Sequence, residues 1–394
     1  MLLSACIITK NEASNIKSCL ESIKDIADEI IILDAFSTDA TLEIAKKYTA
    51  NIYTKEWIHD FSYARNFTIS KAKGEWILII DADEVFTYDS HFASNLTATK
   101  TDAFSITRKE IYRQHHDLKQ VQFPVHIIRL FRRRTNATFR YPIHERLDDY
   151  FIENAIPVSI NRHCHLDHHI SSNIGFVQSK QKKYLAQIKH YLEKQPTDDW
   201  LRYQKIKTLK YFKQHSKALQ LIDTFKTKNY KISVATRVIE SQIHAENGAL
   251  DNAIRILKNI PKARNSSIVQ MLLGDFYFKK KKFFSALRHY LKLKTSTKTI
   301  DFENAMYIVS YCEKKDKVYK IASVLYALKL YFCCILFLNL HKKHLQADSL
   351  LLYAFIFLKK DNIPQALLYI KKARVHDPHW KKLIALEKKY DQTI

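Results

Sequence analysis

Glycine and proline are scarce in this sequence, with 4 and 7 copies in 394 residues. Both residues interrupt helices, so a long stretch that nearly lacks them can be helical throughout. Beyond residue 170 the only glycines are Gly175, Gly248 and Gly274, and proline is rare. The second half of the chain is therefore predicted to be entirely helical.

Cysteine is also uncommon and shows no paired spacing. The 6 cysteines stand at scattered positions, without a CxxC pair. This excludes the disulfide framework of small secreted domains and favours a reducing compartment. The opening sequence MLLSACIITKNE lacks a basic segment and a small-residue cleavage site. It is predicted to form a first β-strand rather than a signal peptide.

One apolar run, residues 324–340, is long enough to be weighed as a membrane span. It has 17 residues and contains Lys329 and Asn339. A spanning helix needs about 20 residues with few or no charges. The run is therefore predicted to be a buried helix of a repeat.

The charge of the chain is basic and unevenly distributed. Lysine and arginine number 64 against 40 acidic residues, a net charge of +24. Residues 1–170 carry 21 basic and 23 acidic side chains, whereas residues 171–394 carry 43 and 17. Such a field favours an anionic partner, either an acidic polypeptide or an anionic membrane surface, and both interpretations place the protein in the cytoplasm, with peripheral contact at the inner membrane face in the second case. A nucleic-acid partner is not expected, because the aromatic residues of the basic half recur at core spacing.

Strand and helix patterns alternate over the first 90 residues. Apolar runs predict strands at residues 3–9, 29–33, 51–53 and 76–80, and helical spacing predicts helices at 15–26, 41–48 and 61–72. This alternation is typical of an α/β domain with a mostly parallel sheet, whose ligands bind beyond the carboxyl ends of the strands. Further strands are expected at 103–107, 126–131, 138–142 and 156–162, completing a domain over residues 1–170.

A weak repeat runs through the helical half. Ala218, Ala253 and Ala286 stand in similar segments, 35 and 33 residues apart, and Ala366 and Ala322 are further candidates for this position. A small residue lets two helices approach closely, and a period of about 34 residues is typical of tetratricopeptide helix pairs. Residues 171–394 are therefore predicted to form an all-α, tetratricopeptide-like domain that contacts an acceptor or partner.

Acidic residues follow two of the predicted strands. Asp81 and Asp83 come after WILII, and residues two apart in an extended strand project to one side. Such a pair can bind Mg²⁺ or Mn²⁺ and neutralise a leaving diphosphate, although a solvated acidic turn is the alternative. Asp34 follows the second strand and can hydrogen-bond a ribose hydroxyl or a base, whereas Asp39 is predicted to cap the next helix.

Four motifs carry a resemblance to a known family. In order, they are TKNEASNIKSCLESI, DAFSTDAT, FSYARNF and GEWILIIDADE. Together they resemble the family 2 glycosyltransferases of the GT-A fold over residues 1–165. Within the family the chain is similar to bacterial lipopolysaccharide core glucosyltransferases and to bacteriocin peptide glycosyltransferases, which also carry helical repeats. The resemblance implies a nucleotide-diphospho-sugar donor, often UDP-linked, and inversion at the anomeric carbon.

The resemblance also assigns roles to single residues. It implies that the nucleobase is held by Thr9 and Asp34, the ribose and diphosphate by Arg65, Asn66 and Asp81, and the metal by Asp81, Asp83 and His165. Ala35 and Phe36 stand where many members of the family have glycine. The subgroups named above tolerate that substitution.

An inverting transferase needs a base to accept the proton of the acceptor. Glu145 is the predicted base, with His144 to orient it and Asp148 and Asp149 as rivals. Lys180, Lys182 and Lys183, or Arg132–Arg133–Arg134, could reach a phosphate, but a solvated face is the simpler interpretation of the lysines. The competing function is an inactive transferase-like scaffold whose basic repeats bind an anionic partner.

Overall fold

The computed structural model describes residues 1–114, 117–120, 125–170, 174–261, 266–295, 312, 314–378 and 380–392. The chain divides into two compact units, Met1–Phe212 and Lys213–Ile394. The first unit is built on a β-sheet, and the second consists of helices in its described parts.

The nine strands of the sheet are β1 (Leu3–Thr9), β2 (Glu29–Asp34), β3 (Ile52–Thr54), β4 (Trp76–Ile79), β5 (Glu84–Tyr88), β6 (Ala103–Gln114), β7 (Asp117–Gln120), β8 (Val125–Arg132) and β9 (Val158–Ile170). Their order is β3-β2-β1-β4-β8-β6-β9-β5, and β7 pairs with β6. The first four strands are parallel. β8 pairs with β4 in the antiparallel direction. The strands that come later in the chain thus extend a sheet whose first four strands are parallel.

Most strands lie where the apolar runs predict them. All residues of β1, β2 and β4 are buried or nearly so, because helices cover both faces of this part of the sheet. The strand predicted at residues 138–142 is wrong, because this segment forms only a single bridge, between Arg140 and Arg146. The apolar runs also give no prediction for β5, which is a strand in the structure.

The helices of the first unit are α1 (Ile16–Ile23), α2 (Thr41–Ala45), α3 (Phe61–Lys71), α4 (Phe92–Ala98), α5 (Asp148–Glu153), α6 (Ile174–Lys194) and α7 (Asp199–Tyr211). The first compact unit therefore extends beyond residue 170, where the domain boundary is predicted. The physical reason is a small core in which Ile143, Ile188 of α6 and Leu201 of α7 pack together.

The helices of the second unit are α8 (His215–Asp223), α9 (Tyr230–Glu246), α10 (Leu250–Lys258), α11 (Ser267–Lys279), α12 (Phe283–Leu291), α13 (Lys314–Ala327), α14 (Tyr331–Leu340), α15 (Ala347–Leu358), α16 (Ile363–His376) and α17 (Lys381–Asp391). Consecutive helices pack against each other, as in α9 with α10, α11 with α12 and α15 with α16. These are the stacked helix pairs that the repeat predicts.

The turns between paired helices repeat one backbone conformation. The residues with positive φ there are Lys213, Gly248, Lys281, Lys329 and Asp361, at φ 57°, 83°, 57°, 60° and 53°. Five positions later in each case stands a small residue that is completely buried: Ala218, Ala253, Ala286, Cys334 and Ala366. Ala322 is therefore not a member of the series. It lies on α13, where its carbonyl accepts a hydrogen bond from Cys334 Sγ at 3.4 Å.

The apolar run at residues 324–340 does not form one helix. It is divided between α13 and α14 by the turn at Lys329, whose φ is 60°. α14 buries Cys334 and Leu338 but leaves Phe332 and Leu340 more than two thirds exposed, so the prediction of a buried helix holds for one side of it. Among the described helices, none has the length and apolar character needed to cross a membrane.

Candidate active site

A cavity of about 1290 Å³ opens at the carboxyl ends of β1 and β4. Its wall includes residues 9–12, from the last residue of β1 onward, and residues 81–84, which run from just beyond the end of β4 to the first residue of β5. Glu145 and the first half of α6 also contribute to the wall. The cavity thus lies where a parallel sheet is expected to bind ligands.

Asp81 and Asp83 both line this cavity. They lie in a turn rather than in an extended strand, since the Glu84 N–H donates to the Asp81 carbonyl at 2.9 Å. The Asp81 carboxylate pairs with Arg65 at 2.8 Å and with Arg129 at 3.1 Å. Burial alone would raise the pKa of Asp81, but the two guanidinium groups hold it well below its ordinary value.

Asp83 has a different neighbour. Its Oδ2 lies 3.3 Å from His168 Nε2, and its backbone carbonyl accepts the His169 N–H at 3.0 Å. His165 was the predicted metal ligand, but its Nε2 lies 3.5 Å from Asp167 Oδ1 and it is not part of the cavity wall. His168, three positions later on β9, occupies the place beside the carboxylate.

Glu145 is held in the cavity by Arg65. The Arg65 Nε donates to Glu145 Oε1 at 2.8 Å, while the same guanidinium pairs with Asp81. Arg65 is only 3% exposed. It is therefore positioned to link the two carboxylates, and its buried charge is balanced by both.

The rivals of Glu145 are engaged elsewhere. Asp148 and Asp149 both pair with Arg146, at 3.0 and 2.8 Å, and neither lines the cavity. His144 was predicted to orient Glu145. Its carbonyl instead accepts the Trp200 Nε1–H at 3.0 Å, which attaches this segment to α7.

Asn66 has a structural role in this fold. Its side chain donates to the Phe139 carbonyl at 2.9 Å and accepts the Phe139 N–H at 2.7 Å. It does not line the cavity. The predicted contact with ribose or diphosphate is therefore not supported by its position, and the amide instead fixes the segment that leads to Glu145.

The two residues predicted to hold the nucleobase differ in whether they reach the cavity. Thr9 lines the cavity and is nearly buried, with an Oγ1 that lacks a hydrogen-bond partner within the described chain. Asp34 is completely buried, accepts the Ser37 N–H at 2.8 Å and does not line the cavity. Asp39 accepts the Thr41 N–H at 3.0 Å, so it binds the first N–H of α2 from the residue before the N-cap, which is Ala40.

Asn11 joins the loops that follow β1 and β2. It has a φ of 55°, its Oδ1 accepts the Thr38 N–H at 2.8 Å, and its own N–H donates to Ser37 Oγ at 2.8 Å. Asn11 also lines the cavity. The sequence signal for this role was an asparagine just after a predicted buried strand, because asparagine tolerates the left-handed conformation.

The arginine triplet at residues 132–134 does not reach the cavity, whereas several other basic residues do. Arg108, Arg129 and Lys180 line it, whereas Arg132 contacts the Trp76 ring and the Thr99 carbonyl. Arg133 and Arg134 bind Gly74 and Asp102. The phosphate-binding role considered for the arginine triplet is therefore not supported.

Lys180 lies near both aspartates of the turn. Burial alone would lower the pKa of Lys180, but Tyr184, Asp83 and Asp81 raise it above its ordinary value. The lysine is therefore cationic at neutral pH and faces the same cavity as the carboxylates. Lys182 and Lys183 are exposed.

Comparison with known proteins assigns the family of the first unit. The family model described as glycosyl transferase family 2 matches residues 4–154. Residues 4–154 are a family 2 glycosyltransferase domain. A TPR repeat-containing protein of Synechococcus elongatus is 38% identical over 149 residues, which cover 37% of this chain and 36% of that protein.

Two further sets of relatives are similar to shorter parts of the chain. Glycosyltransferase SunS of Bacillus subtilis is 43% identical over 102 residues, covering 25% of this chain and 24% of that protein. An uncharacterized glycosyltransferase of Rickettsia bellii is 45% identical over 82 residues, covering 21% and 28%. The chain thus spans about a third or less of the length of each of these relatives.

Solved structures resemble the chain only loosely. TarS of S. aureus in complex with UDP-GlcNAc aligns at 14% identity and a TM-score of 0.35, covering 74% of this chain and 90% of that one. The Cut9–Hcn1 assembly aligns at 15% identity and a TM-score of 0.39, covering 54% and 40%.

The family 2 glycosyltransferase domain does not contain the whole cavity. Arg65, Asp81 and Glu145 lie within residues 4–154, whereas His168 and Lys180 lie on β9 and α6, beyond the matched region. The larger unit Met1–Phe212 is thus the part of the chain that completes the site.

The residues around Asp83 fit a divalent ion. A carboxylate oxygen and an imidazole nitrogen 3.3 Å apart are suitable donors for Mn²⁺, and carboxylate oxygen suits Mg²⁺. Within the described part of the chain, no three acidic, histidine or cysteine side chains converge on a point. Phosphate oxygens and water would supply the remaining ligands, as is usual for Mg²⁺ at phosphate-binding sites.

Proposed function

We propose that this chain is an inverting glycosyltransferase that uses a UDP-linked sugar. The observation that supports this most directly is that Asp83 and Glu145 of the family 2 domain share one cavity with His168 and Lys180, which follow that domain in the chain. Glu145 suits the proton of an acceptor, and the other three side chains suit the charged end of a donor. Thr9 and the buried strand ends beside it are then available for the nucleoside.

The donor diphosphate would lie between Lys180 and the pair formed by Asp83 and His168. Lys180 supplies a fixed positive charge to phosphate oxygens. A Mg²⁺ or Mn²⁺ ion held by Asp83 and His168 would neutralise charge on the leaving diphosphate. Asp81 is an unsuitable ligand in this arrangement, because Arg65 and Arg129 occupy its carboxylate.

Glu145 would accept the acceptor proton. In a direct displacement the acceptor oxygen forms a bond to the anomeric carbon as the bond to the diphosphate breaks, and the acceptor proton passes to the carboxylate. Arg65 positions Glu145 through the hydrogen bond from its Nε to Glu145 Oε1. After proton transfer Arg65 still has Asp81 as a partner, so the buried guanidinium is not left unpaired.

The acceptor is proposed to be a surface glycan of the lipopolysaccharide type, or a peptide. The second unit, Lys213–Ile394, carries 34 basic and 14 acidic residues, so it favours an anionic acceptor. All six cysteines are free, which supports a reaction in the cytoplasm. An acidic peptide and a phosphorylated, lipid-linked glycan both meet these conditions.

The decisive experiment compares Asp83→Ala with Asp89→Ala across a panel of nucleotide sugars. Asp89 is a surface acid that pairs with His163 at 3.1 Å, outside the cavity. We expect Asp83→Ala to lose donor turnover and Mn²⁺-dependent UDP binding, and Asp89→Ala to retain both. Normal turnover by folded Asp83→Ala would contradict the metal assignment. A wild-type chain that turns over no nucleotide sugar, yet binds an anionic partner, would favour the inactive scaffold.

A separate experiment tests whether the first unit turns over the donor while the second unit selects the acceptor. A fragment ending at Phe212 keeps the complete cavity, because its lining residues all lie within the first unit. We expect this fragment to hydrolyse donor slowly but to lose transfer to the native acceptor. Unchanged transfer by the fragment would show that the second unit does not select the acceptor.

A further inference from the structure

Helix α14 exposes a row of large apolar side chains. Phe332 is 76% exposed, Leu336 50% and Leu340 73%. The three residues are four positions apart, so they lie along one side of the helix. We refer to Phe332, Leu336 and Leu340 as the α14 face. Exposed apolar side chains that form a contiguous row commonly mark an interaction surface.

The opposite side of α14 holds the helix in the unit. Cys334 and Leu338 are completely buried, in a cluster with Val318 and Ala322 of α13 and with Ile356 of α15. The position of α14 is therefore fixed by its inner side alone. The residues of the α14 face can be changed without removing a contact of this core.

The charged residues that flank α14 in the sequence are all basic. Lys329 precedes the helix, and Lys342 and Lys343 follow it. No acidic residue occurs between Asp316 and Asp348 in the sequence. A partner that complements this segment presents an apolar surface to the α14 face and negative charge to the flanking lysines.

A second helix of the same type shows the same combination. Phe284 on α12 stands two positions before Ala286, as Phe332 stands two positions before Cys334, and it is 75% exposed. Lys279–Lys282 precede it, and Lys292 and Lys294 follow α12. The pattern on α14 thus recurs at an equivalent position of an earlier repeat.

We propose that the α14 face docks on an anionic lipid bilayer. A bilayer presents negative headgroups directly above an apolar layer, which is the order of chemistry that the lysines and the exposed Phe and Leu side chains require. α14 has 10 residues and is about 15 Å long, half of the apolar thickness of a membrane. It therefore lies in the interface and does not span. This docking goes beyond the proposed transfer reaction and does not depend on it.

The test measures co-sedimentation of the full-length protein with vesicles. One set contains equal amounts of phosphatidylglycerol and phosphatidylcholine, and the other contains phosphatidylcholine alone. We expect binding to the anionic set at about 0.15 M salt, and little to the neutral set. Burial of one large apolar side chain changes an affinity by about tenfold or more. The variant F332S/L336S/L340S should therefore bind at least about tenfold more weakly.

Two further variants separate the apolar contribution from charge and from folding. Ile152→Ser, which alters a 44% exposed residue of the first unit, is the control for loss of an exposed apolar side chain outside the α14 face and should bind like wild type. Lys342→Gln with Lys343→Gln should weaken binding while leaving thermal unfolding unchanged. The proposal is overturned if wild type does not bind anionic vesicles, or if the triple variant binds as well as wild type. It is also overturned if the face instead mediates dimers that the triple variant separates.

Discussion

Arg65 Nε donates a hydrogen bond to Glu145 Oε1 at 2.8 Å, at the inner end of the cavity. The two residues are 80 positions apart in the chain, and only Arg65 belongs to one of the four family motifs. The same arginine pairs with Asp81. The proposed base and the acidic turn after β4 are thus joined through one buried guanidinium, so a change at Arg65 affects both.

Replacing Arg65 with methionine should destabilise the first unit and abolish transfer. The substitution leaves Glu145 without this cation and leaves Asp81 with Arg129 alone. Removing one partner of a buried ion pair lowers the free energy of unfolding by about 3–5 kcal/mol. Urea unfolding measures this loss. Arg140→Met is the control, since its partner Glu153 is half exposed and the loss should stay below about 1 kcal/mol.

Glu145→Gln should reduce transfer to a hydroxyl acceptor while preserving the fold. The glutamine carbonyl can still accept the Arg65 Nε–H, but it cannot accept the proton of the acceptor. Loss of a general base lowers the rate by about 100-fold or more. A thiol acceptor should be less affected, because a pKa of about 8.5 already provides some thiolate. Asp149→Asn, at the rival acid, should transfer normally, and a result with the two variants reversed would reassign the base.

Asn66→Ala should weaken the fold but not donor binding by the folded protein. Both hydrogen bonds to the Phe139 backbone are lost, which lowers the free energy of unfolding by about 1–3 kcal/mol. Denaturant unfolding and UDP titration of the same sample separate the two effects. If UDP binding falls while stability is unchanged, Asn66 contacts the donor as the family resemblance implies.

The sequence was sufficient to predict the parallel half of the sheet. β1, β2 and β4 are buried on both faces, so their residues form continuous apolar runs. β5 does not form such a run, since it starts directly after the Asp81–Asp83 turn and three of its five residues are not buried. It becomes a strand by pairing with β9, which is about 80 residues away. Pairing over that distance leaves no local signal.

The same limit explains why the sequence does not identify which histidine lies beside Asp83. The segment HCHLDHHI contains several candidates, and its spacing does not show which one reaches Asp83. The register of β9 with β5 decides this, because Glu84 stands opposite His168 and Thr87 opposite His165. Glu145, by contrast, was predicted from the need for a base and from the family resemblance, which implies an acid in a later segment, and the structure places its carboxylate in the cavity.

The type of residue at the positive-φ position of each turn between paired helices should affect the free energy of unfolding. Lys281 has a φ of 57° and Gly248 a φ of 83°, and the left-handed conformation is unfavourable for residues with a Cβ by about 1–2 kcal/mol. Lys281→Gly should therefore raise the free energy of unfolding by about 1 kcal/mol, and Gly248→Ala should lower it by a similar amount. A Cβ on Gly248 would meet no atom within 4 Å, so the loss reflects the backbone alone. Lys281→Ala controls for the lost side chain and should not stabilise.

His144 should make the stability of the first unit depend on pH between about 4 and 6.5. Burial, with Lys207 and Lys180 nearby, lowers the pKa of His144 from 6.5 to about 4. Between these values the unfolded chain binds more protons than the folded chain, so the free energy of unfolding falls as the pH falls. The loss at pH 4 is up to about 3 kcal/mol. His144→Asn removes the titration and tolerates the φ of 52°. We therefore expect its stability relative to wild type, measured by urea unfolding, to rise from pH 7 to pH 4. A difference that stays constant over this range would show that His144 remains accessible to protons in the folded state.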